Sequence, residues 1–279
     1  MKRPANEKSL RSFPGPLVLL GAGKMGSAML EGWFKRGMSP RKLIVLEPQP
    51  SKAVKALVRR GVRLNPKGKP TVAAAIVIAV KPQSAPEAVP PLRSYVGRDT
   101  LVVSIMAGRT LGFLENVLPS GAAIVRAMPN TPAAIGRGIT TAVPNRRVSA
   151  RQRKQANELL ASIGTVEWVH DERLMDAVTA LSGSGPAYVF LLAEAMTRAG
   201  ISAGLPADLA ERLARETVAG SGELLHRSDL DAASLRQNVT SPGGTTAAAL
   251  EILMGPGGFA ELLTKAIAAA TRRGRELAG

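Results

Sequence analysis

Short apolar runs of strand length alternate with helix-like segments through the first part of the chain. Five of these runs, rich in Leu, Ile and Val, lie at residues 17–20, 43–46, 74–80, 101–105 and 124–127. Strands that alternate with helices along a chain form parallel sheets with helices on both faces. The pattern therefore predicts an α/β domain built on a doubly wound parallel sheet.

The pattern changes toward the C-terminus. Two more strand-like runs, at residues 138–143 and 165–169, flank a polar helical segment at 149–163. Beyond about residue 170 only helical periodicity remains, and it predicts helices at residues 186–199, 206–225, 232–238, 246–254 and 258–277. Two of them begin with Pro, and Gly200 is expected to end the first. Their long apolar faces favour dimerisation, which would bury them.

Composition narrows the classes of function. The chain contains no Cys and two His, His170 and His226, so neither disulfides nor a metal site is expected. No apolar run reaches the roughly 18 residues that cross a bilayer. Residues 1–14 are basic and polar, without the apolar centre of a secretory signal. We therefore expect a soluble, cytoplasmic protein with no membrane partner and with a flexible extension at residues 1–14.

The formal net charge of +16 raises the question of a nucleic-acid partner. Residues 1–170 carry 27 Lys and Arg against 8 Asp and Glu, whereas residues 171–279 carry 10 against 13. Aromatic residues make up 3% of the chain, which leaves little for base stacking. We expect no nucleic-acid partner, and the basic first part can instead attract a phosphate-bearing cofactor.

A complete G-x-G-x-x-G sequence directly follows the first strand-like run. It consists of Gly21, Ala22, Gly23, Lys24, Met25 and Gly26, and it opens an apolar helix. The first Gly permits a tight turn, the second lets the backbone approach a pyrophosphate, and the third allows helix and strand to pack closely. Because a helix N-terminus attracts negative charge, the sequence predicts a dinucleotide cofactor at this loop.

The end of the second strand-like run bears on the choice between NADH and NADPH. Glu47 lies 21 residues after Gly26, where an acidic side chain usually binds the ribose 2′-hydroxyl of NADH. Ser51, Lys52 and Lys55 follow and are suited to a 2′-phosphate instead. Glu47 is also consistent with a solvated loop residue. The residues therefore leave both cofactors open.

Three later stretches resemble pyrroline-5-carboxylate reductases. In the order of that family they are RAMPNTP at 126–132, DAVTALSGSGPAYVF at 176–190 and NVTSPGGTT at 238–246, the last being the family signature. AVKP at 79–82 also resembles the family's cofactor loop. The resemblance implies a Rossmann-type dinucleotide-binding domain at 15–170, followed by an all-helical dimerisation and substrate domain at 171–279.

The resemblance also implies an activity. Members of this family reduce 1-pyrroline-5-carboxylate to L-proline, usually with NADPH and in some cases with NADH, at a site formed where the helices of two subunits meet. We therefore expect a homodimer or a larger assembly of dimers. Many members carry an Asn before the strand-like run at 74–80, where this chain has Gly68. This departure weakens the transfer of an NADPH preference to this chain.

The glycine-rich turn that enters the helix near Thr246 is the candidate substrate site. Its backbone N–H groups, at Gly244, Thr245 and Thr246, are suited to a carboxylate, and Gly243 shapes the turn. By resemblance, Thr246 orients the substrate nitrogen with Ser241 nearby, so both are candidate catalytic residues; the source of the proton is left open, with solvent as one candidate. Simple helix capping is the alternative role for Ser241 and Thr246.

Further candidates for the cofactor site follow strand-like runs, where open α/β sheets bind ligands. They are Ala79, Val80, Lys81, Pro82, Ala107, Gly108 and Asn130. Lys81 resembles the family's cofactor-loop lysine, with a solvated lysine as the alternative. Asn130 is suited to binding a carboxamide or to closing a turn. The segment 182–185 is suited to lining the substrate space or to a close helix crossing.

Two other functions remain open from the residues alone. Dehydrogenases of β-hydroxy acids also join a Rossmann domain to helices, but they need a lysine base, and the helical part offers only Lys265. A cofactor-sensing or nucleic-acid-binding protein would keep the dinucleotide loop without chemistry. The intact turn from Ser241 to Thr246 favours the reductase.

Overall fold

The computed structural model describes residues 10–278 of the chain. They fold into two compact units. The first unit holds the residues up to Gly183 together with those from Thr271 onward, and the second is Ser184–Ala270. The last strand ends at Trp168, close to the boundary at residue 170 that the sequence suggests, whereas the compact unit around the sheet continues to Gly183.

The first unit contains an eight-stranded sheet. Its strands are β1 (Leu17–Leu20), β2 (Leu43–Leu46), β3 (Arg63–Leu64), β4 (Ala75–Ile78), β5 (Leu101–Ser104), β6 (Ala123–Met128), β7 (Gly138–Pro144) and β8 (Gly164–Trp168). They lie in the order β3-β2-β1-β4-β5-β6-β7-β8, and neighbours are parallel except for β6 and β7. The first six follow the Rossmann order, which confirms the predicted fold class.

Helices surround this sheet and make up the second unit. Those of the first unit are α1 (Lys24–Lys35), α2 (Lys52–Ala56), α3 (Ala85–Ala88), α4 (Leu111–Val117), α5 (Ala150–Leu160) and α6 (Met175–Val178). Those of the second unit are α7 (Gly185–Ser202), α8 (Ala207–Arg227), α9 (Ala232–Asn238), α10 (Thr245–Met254) and most of α11 (Phe259–Ala278). None of the helices within residues 10–278 is long and apolar enough to cross a membrane.

Apolar side chains cover both faces of the sheet. Along β1, Leu17 and Leu19 pack into one buried cluster with Trp33 of α1, whereas Val18 packs into a second cluster with Ile76. Successive strand residues point to opposite faces, so burial of all four β1 side chains requires helices on both sides. This arrangement leaves the carboxyl ends of the strands as the open edge at which a ligand can bind.

The prediction that Gly200 ends a helix is wrong. Helix α7 continues through Gly200 to Ser202, because Gly200 serves packing: a Cβ there would lie 3.2 Å from the Cβ of Ala210 in α8. The helix ends where Gly204 adopts a φ of 97°, a left-handed conformation that favours glycine. Strand β3 was missed because its two residues, Arg63 and Leu64, form no apolar run.

Part of the segment at residues 1–14, which the sequence predicts to be a flexible extension, belongs to the fold. Residues 1–9 lie outside the described part of the chain. Leu10 and Phe13, by contrast, are 0% and 2% exposed and belong to the buried cluster that contains Trp33. The described fold therefore already includes residues that the sequence pattern assigned to the extension.

Candidate active site

The loop after β1 has the geometry that a dinucleotide requires. Gly21 has a φ of 90°, and a Cβ at this position would lie 2.8 Å from the backbone of Ala79. A Cβ on Gly26 would overlap the carbonyl oxygen of Gly21, whereas a Cβ on Gly23 would meet no protein atom within 4 Å. Packing within the protein therefore explains why glycine is required at positions 21 and 26. The absence of a side chain at Gly23 instead leaves open space for a ligand that lies close to the backbone.

The N-terminus of α1 opens directly onto this loop. Gly23 is its N-cap residue and has no side chain that could cap it, and the first turn carries no acidic residue. The N–H groups of the first turn, at Lys24, Met25 and Gly26, therefore find no acceptor within the helix. Together with the helix dipole, these donors suit a pyrophosphate. The residues thus fit a dinucleotide cofactor.

Three further segments follow neighbouring parallel strands at the same edge of the sheet. Residues 79–82 follow β4, Ala107 and Gly108 follow β5, and Asn130 follows β6. The Ala79 N–H donates to the Leu20 carbonyl oxygen at 2.7 Å, which holds the loop after β4 against the end of β1. The structure therefore brings these predicted cofactor residues to one edge.

An arginine that the sequence did not single out connects two of these segments. The Nε of Arg109 donates to the carbonyl oxygen of Pro82 at 3.0 Å, and its guanidinium lies over the ring of Phe113. The loop after β5 is thereby fixed to the loop after β4. The side chain of Lys81 is exposed and is therefore available to a ligand. Its backbone carbonyl oxygen accepts from the Ser84 N–H.

The amide of Asn130 bonds to the next strand. Its Oδ1 accepts from the Ile139 N–H at 3.0 Å, and its Nδ2 donates to the Oγ of Ser182 at 3.5 Å. The carbonyl oxygen of this side chain is thus used within the protein. Its amino group is the part that remains suited to a cofactor.

Glu47 follows β2 and is held by the glycine-rich loop. Its Oε2 accepts from the Ala22 N–H at 2.8 Å, and its Oε1 accepts from the Gln49 N–H at 3.0 Å. It is partly buried, so the interpretation as a solvated loop residue is wrong. Gly68 has a φ of 100°, and a Cβ there would meet open space. Its backbone conformation, rather than close packing, therefore favours Gly at this position.

The candidate substrate turn lies in the second unit and leads into α10. Gly243 has a φ of 67°, which favours glycine, and Gly244 is the N-cap residue with no side chain to cap the helix. A Cβ on Gly244 would lie 2.6 Å from the Ser241 Oγ, so the serine hydroxyl lies directly over the turn. Neither Ser241 nor Thr246 caps α10. The capping alternative for these two hydroxyls therefore has no support in the hydrogen bonds of α10.

One predicted donor of this turn is already engaged. The Gly244 N–H donates to the Ser241 carbonyl oxygen at 3.1 Å, so the expectation that it is free for an anion is wrong. The first-turn N–H groups of Thr245 and Thr246 have no acceptor within the helix. Thr245 is exposed and Thr246 is partly buried. The predicted anion site of this turn is thus reduced to those two N–H groups and the nearby hydroxyls.

A buried ion pair was not predicted from the sequence. Arg126 in β6 is 4% exposed, and its guanidinium donates to the Glu172 Oε1 at 2.8 Å, with the Asp176 carboxylate 4.0 Å away. The same Glu172 oxygen accepts from the Leu111 N–H at the start of α4. Arg126 and Asp176 both lie in the stretches that resemble the reductase family, and this resemblance was the signal from which the pair could have been found. The pair holds β6, α4 and α6 together below the open edge.

A π-helical turn follows α6 and was also missed. It spans Thr179–Gly183, and the Thr179 Oγ1 donates to the Met175 carbonyl oxygen at 2.7 Å. A Cβ on Gly183 would collide with the Met128 side chain, so Gly183 allows this turn to lie against the end of β6. Such turns often lie at functional sites. Gly183 thus serves close packing within the first unit.

Comparison with known proteins agrees with this arrangement. A family model described as "Pyrroline-5-carboxylate reductase dimerisation" matches residues 172–277, and one described as "NADP oxidoreductase coenzyme F420-dependent" matches residues 16–108. A curated pyrroline-5-carboxylate reductase from Pseudomonas aeruginosa is 37% identical over 94% of this chain and 96% of its own length.

Two solved structures extend the likeness to three dimensions. A pyrroline-5-carboxylate reductase from Coxiella burnetii has a TM-score of 0.87 and 33% identity, covering 95% of this chain and 99% of its own. A pyrroline carboxylate reductase from Plasmodium falciparum with NADP bound has a TM-score of 0.78 and 30% identity, covering 94% and 98%. From the dinucleotide loop, the signature turn and this similarity along nearly the whole length, the chain belongs to the pyrroline-5-carboxylate reductase family.

Proposed function

We propose that this protein reduces 1-pyrroline-5-carboxylate to L-proline with NADPH or NADH. The observation that carries the proposal is the turn at residues 241–246: its uncapped helix N-terminus and three hydroxyls suit a small carboxylate, in a chain of this family that also has a complete dinucleotide loop. A β-hydroxy acid dehydrogenase would need a lysine base, and Lys265 is paired with Glu261 on the exposed face of α11. The reductase is therefore the better supported of the enzymes considered.

The cofactor residues hold the dinucleotide at the open edge of the sheet. The N–H groups of Lys24, Met25 and Gly26 bind the pyrophosphate, and Gly23 lets the backbone approach it. The segments at residues 79–82 and 107–108, together with Asn130, line the remainder of the cofactor. When bound, the reduced nicotinamide supplies a hydride to the C=N carbon of the substrate.

The turn before α10 positions the substrate. The N–H groups of Thr245 and Thr246 bind its carboxylate, and the Ser241 hydroxyl donates a further hydrogen bond to the same group. Gly243 and Gly244 keep the turn free of side chains that would block this approach. Binding the carboxylate at a fixed point orients the ring for reduction.

Thr246 acts at the ring nitrogen. A hydroxyl both donates and accepts hydrogen bonds, so Thr246 orients the protonated C=N group without acting as a strong acid. Solvent supplies the proton that the ring nitrogen carries. The contribution of Thr246 is therefore positioning in direct contact with the substrate.

The active unit of the protein is a homodimer, alone or within a larger assembly of dimers, in the cytoplasm. The second unit exposes many apolar side chains, including Phe190 at 68% and Ile252 at 79%. Surfaces of this kind are normally buried against a partner. A second copy of the chain covers them and completes the substrate site.

A direct assay tests the proposal. The purified protein is mixed with 1-pyrroline-5-carboxylate and either NADPH or NADH, and the loss of nicotinamide absorbance is followed while proline is quantified. We expect one proline for each nicotinamide oxidised, and no oxidation when a β-hydroxy acid is paired with NAD⁺ or NADP⁺. Absence of turnover with both reduced cofactors would refute the assignment.

A further inference from the structure

Glu47 is fixed from two sides before any cofactor binds. Its carboxylate accepts from the Ala22 and Gln49 N–H groups, at 2.8 and 3.0 Å. Its backbone is paired with the side chain of Asn65: the Glu47 N–H donates to Asn65 Oδ1 at 2.8 Å, and Asn65 Nδ2 donates to the Glu47 carbonyl oxygen at 2.7 Å. These bonds prevent the carboxylate from swinging away to admit a larger group.

The geometry of Asn65 supports this fixed position. Asn65 follows β3 and has a φ of 43°, which Asn tolerates better than most residues. The two-way pairing requires both the carbonyl and the amino group of its side chain. A local backbone conformation is therefore maintained at Asn65, and it keeps the end of β2 and its carboxylate in place.

The fixed carboxylate retains the capacity to bind a ribose. A carboxylate has about four acceptor positions on its two oxygens, and the two backbone donors occupy one on each oxygen. The remaining positions suit hydroxyl donors. Because Ala22 lies in the loop that approaches the pyrophosphate, the carboxylate lies next to the part of the loop where the adjoining ribose is expected.

The same carboxylate is unfavourable for a 2′-phosphate. No lysine or arginine of residues 10–278 forms an ion pair with Glu47. A 2′-phosphate would therefore place a charge of about −1.5 to −2 beside an uncompensated carboxylate. Like charges brought together at an interface are strongly disfavoured.

The residues suited to a 2′-phosphate by their sequence position are not arranged for it. The Ser51 Oγ accepts from the Val54 N–H and so caps α2. Lys52 and Lys55 are exposed on that short helix, where solvent and salt screen their charges. The guanidinium of Arg60 lies over the Phe34 ring, 4.6 Å from its centre. None of these side chains has the fixed position that Glu47 has.

We propose that Glu47 makes this enzyme selective for NADH over NADPH, by accepting hydrogen bonds from the adenosine ribose and repelling a 2′-phosphate. This selectivity rests on the proposed function and differs from the solved relative with NADP bound. It assigns a specificity role to a carboxylate that also fixes the glycine-rich loop.

Binding and kinetics test the selectivity separately. Dissociation constants for NADH and NADPH are measured by nicotinamide fluorescence without substrate, and kcat/KM is measured for each cofactor with 1-pyrroline-5-carboxylate. The variants are Glu47→Gln, which removes the charge and keeps the shape, and Glu47→Ser, which also makes room. The control is Glu31→Gln, an exposed residue of α1 whose substitution changes the net charge equally.

We expect the unmodified protein to favour NADH by about ten-fold or more in both measurements, since like-charge contacts oppose NADPH. Both Glu47 variants should shift the NADH-to-NADPH ratio toward NADPH by about ten-fold, and Glu31→Gln should leave it unchanged. A merely structural role would weaken both cofactors equally and leave the ratio constant. Melting temperatures identify a variant that fails to fold, in which case the other Glu47 variant decides.

The outcomes separate the two proposals. A preference for NADPH in the unmodified protein, an unchanged ratio in the Glu47 variants, or no binding of either cofactor would overturn the selectivity. Selective NADH binding that responds to Glu47, without turnover of 1-pyrroline-5-carboxylate, would leave the role of Glu47 standing and refute the proposed reaction.

Discussion

The two units of this chain differ in how completely they bury their own apolar surface. The first encloses two clusters of buried side chains, one on each face of the sheet, with Leu17, Trp33 and Ile76 fully buried. Within Ser184–Ala270 the buried apolar side chains are Ala210 and Ala214. The first unit thus has a core that can stabilise its site, whereas the second depends on a further partner surface.

This difference affects how each site is held. The glycine-rich loop is fixed to the neighbouring strand, because the Gly21 N–H donates to the Leu46 carbonyl oxygen of β2 and the Ala22 N–H donates to the Glu47 carboxylate. The turn before α10 is fixed by the hydrogen bond from the Gly244 N–H to the carbonyl oxygen of Ser241, three residues earlier in the chain, and by the helix that follows it. We therefore expect Gly26 in the first unit to act through packing, and Ile252 and Thr246 in the second to act through assembly and through direct contact with the substrate.

The largest expected effect comes from Gly26→Ala. The new Cβ would overlap the Gly21 carbonyl oxygen, so the loop and α1 must move apart. Displacement of this kind should lower kcat/KM on the order of 100-fold and destabilise the first unit by about 1–3 kcal/mol. Thermal unfolding and steady-state kinetics measure the two effects.

Gly23→Ala provides the matched control. Its Cβ meets no protein atom within 4 Å, so the melting temperature should remain unchanged while cofactor affinity falls. Equal losses of stability in both variants would show that Gly23 also has a packing role and would contradict the open space assigned to the cofactor.

The second prediction concerns assembly. Ile252 in α10 is 79% exposed, and Ile252→Glu would place a carboxylate on the apolar surface of the second unit. Burying an unpaired charge in an interface is costly, so the oligomer should dissociate largely to single subunits. Light scattering coupled to size exclusion measures the mass.

Val72→Glu is the control in the first unit, at a residue that is 58% exposed. It should leave the mass unchanged, because the core of this unit is complete without a partner. An unchanged mass for Ile252→Glu would refute the role of this surface in assembly.

The third prediction concerns the substrate. Thr246→Val removes a hydroxyl and nearly preserves shape, so it should lower kcat/KM by about ten-fold or more, equivalent to roughly 1.4 kcal/mol. Thr264→Val in α11 removes a hydroxyl that donates to the Ala260 carbonyl oxygen and should have no such effect. Equal kinetics for Thr246→Val and the unmodified protein would exclude Thr246 from the mechanism.

The smallest expected effect is a pH dependence at a helix cap of the second unit. The Ser234 N–H donates to the Asp231 carboxylate and lowers the pKa of Asp231. A lowered folded-state pKa means that this stabilisation is complete above the unfolded pKa of about 3.9 and is lost as the pH falls through the folded pKa. The melting temperature of Asp231→Asn should therefore approach that of the unmodified protein in acid.

Ser149 caps α5 in the first unit and has no titratable group, so Ser149→Ala should lower the melting temperature by the same amount at every pH. A difference between Asp231→Asn and the unmodified protein that stays constant down to pH 2 would contradict the assignment of the cap to the Asp231 carboxylate.

Much of the fold is readable from local patterns. Strands β1 and β2 begin and end where the apolar runs do, since strands buried on both faces consist of continuous apolar residues. Helix α9 likewise agrees with its predicted bounds. The short strand β3 and the continuation of α7 through Gly200 were not readable, because pairing with β2 and packing against Ala210 decide them.

The features of the candidate site likewise divide into those that local sequence patterns reveal and those that they do not. The loop from Gly21 to Gly26 and the turn before Thr246 are recognisable because each is a contiguous segment whose glycines have local conformational requirements. The roles of these residues toward substrate and cofactor remain predictions. The engaged N–H of Gly244 shows that even a contiguous turn has hydrogen bonds that a residue pattern does not specify.

The sequence by itself determined the family, the α/β order followed by helices, and the segments that bear the chemistry, since these depend on residues close together in the chain. Only the tertiary structure decided that the Glu47 carboxylate is bound to the Ala22 N–H and that Arg126 is paired with Glu172. These contacts join residues 25 and 46 positions apart. Such pairs form only when the sheet brings their strands together, and no local pattern of residues encodes that proximity.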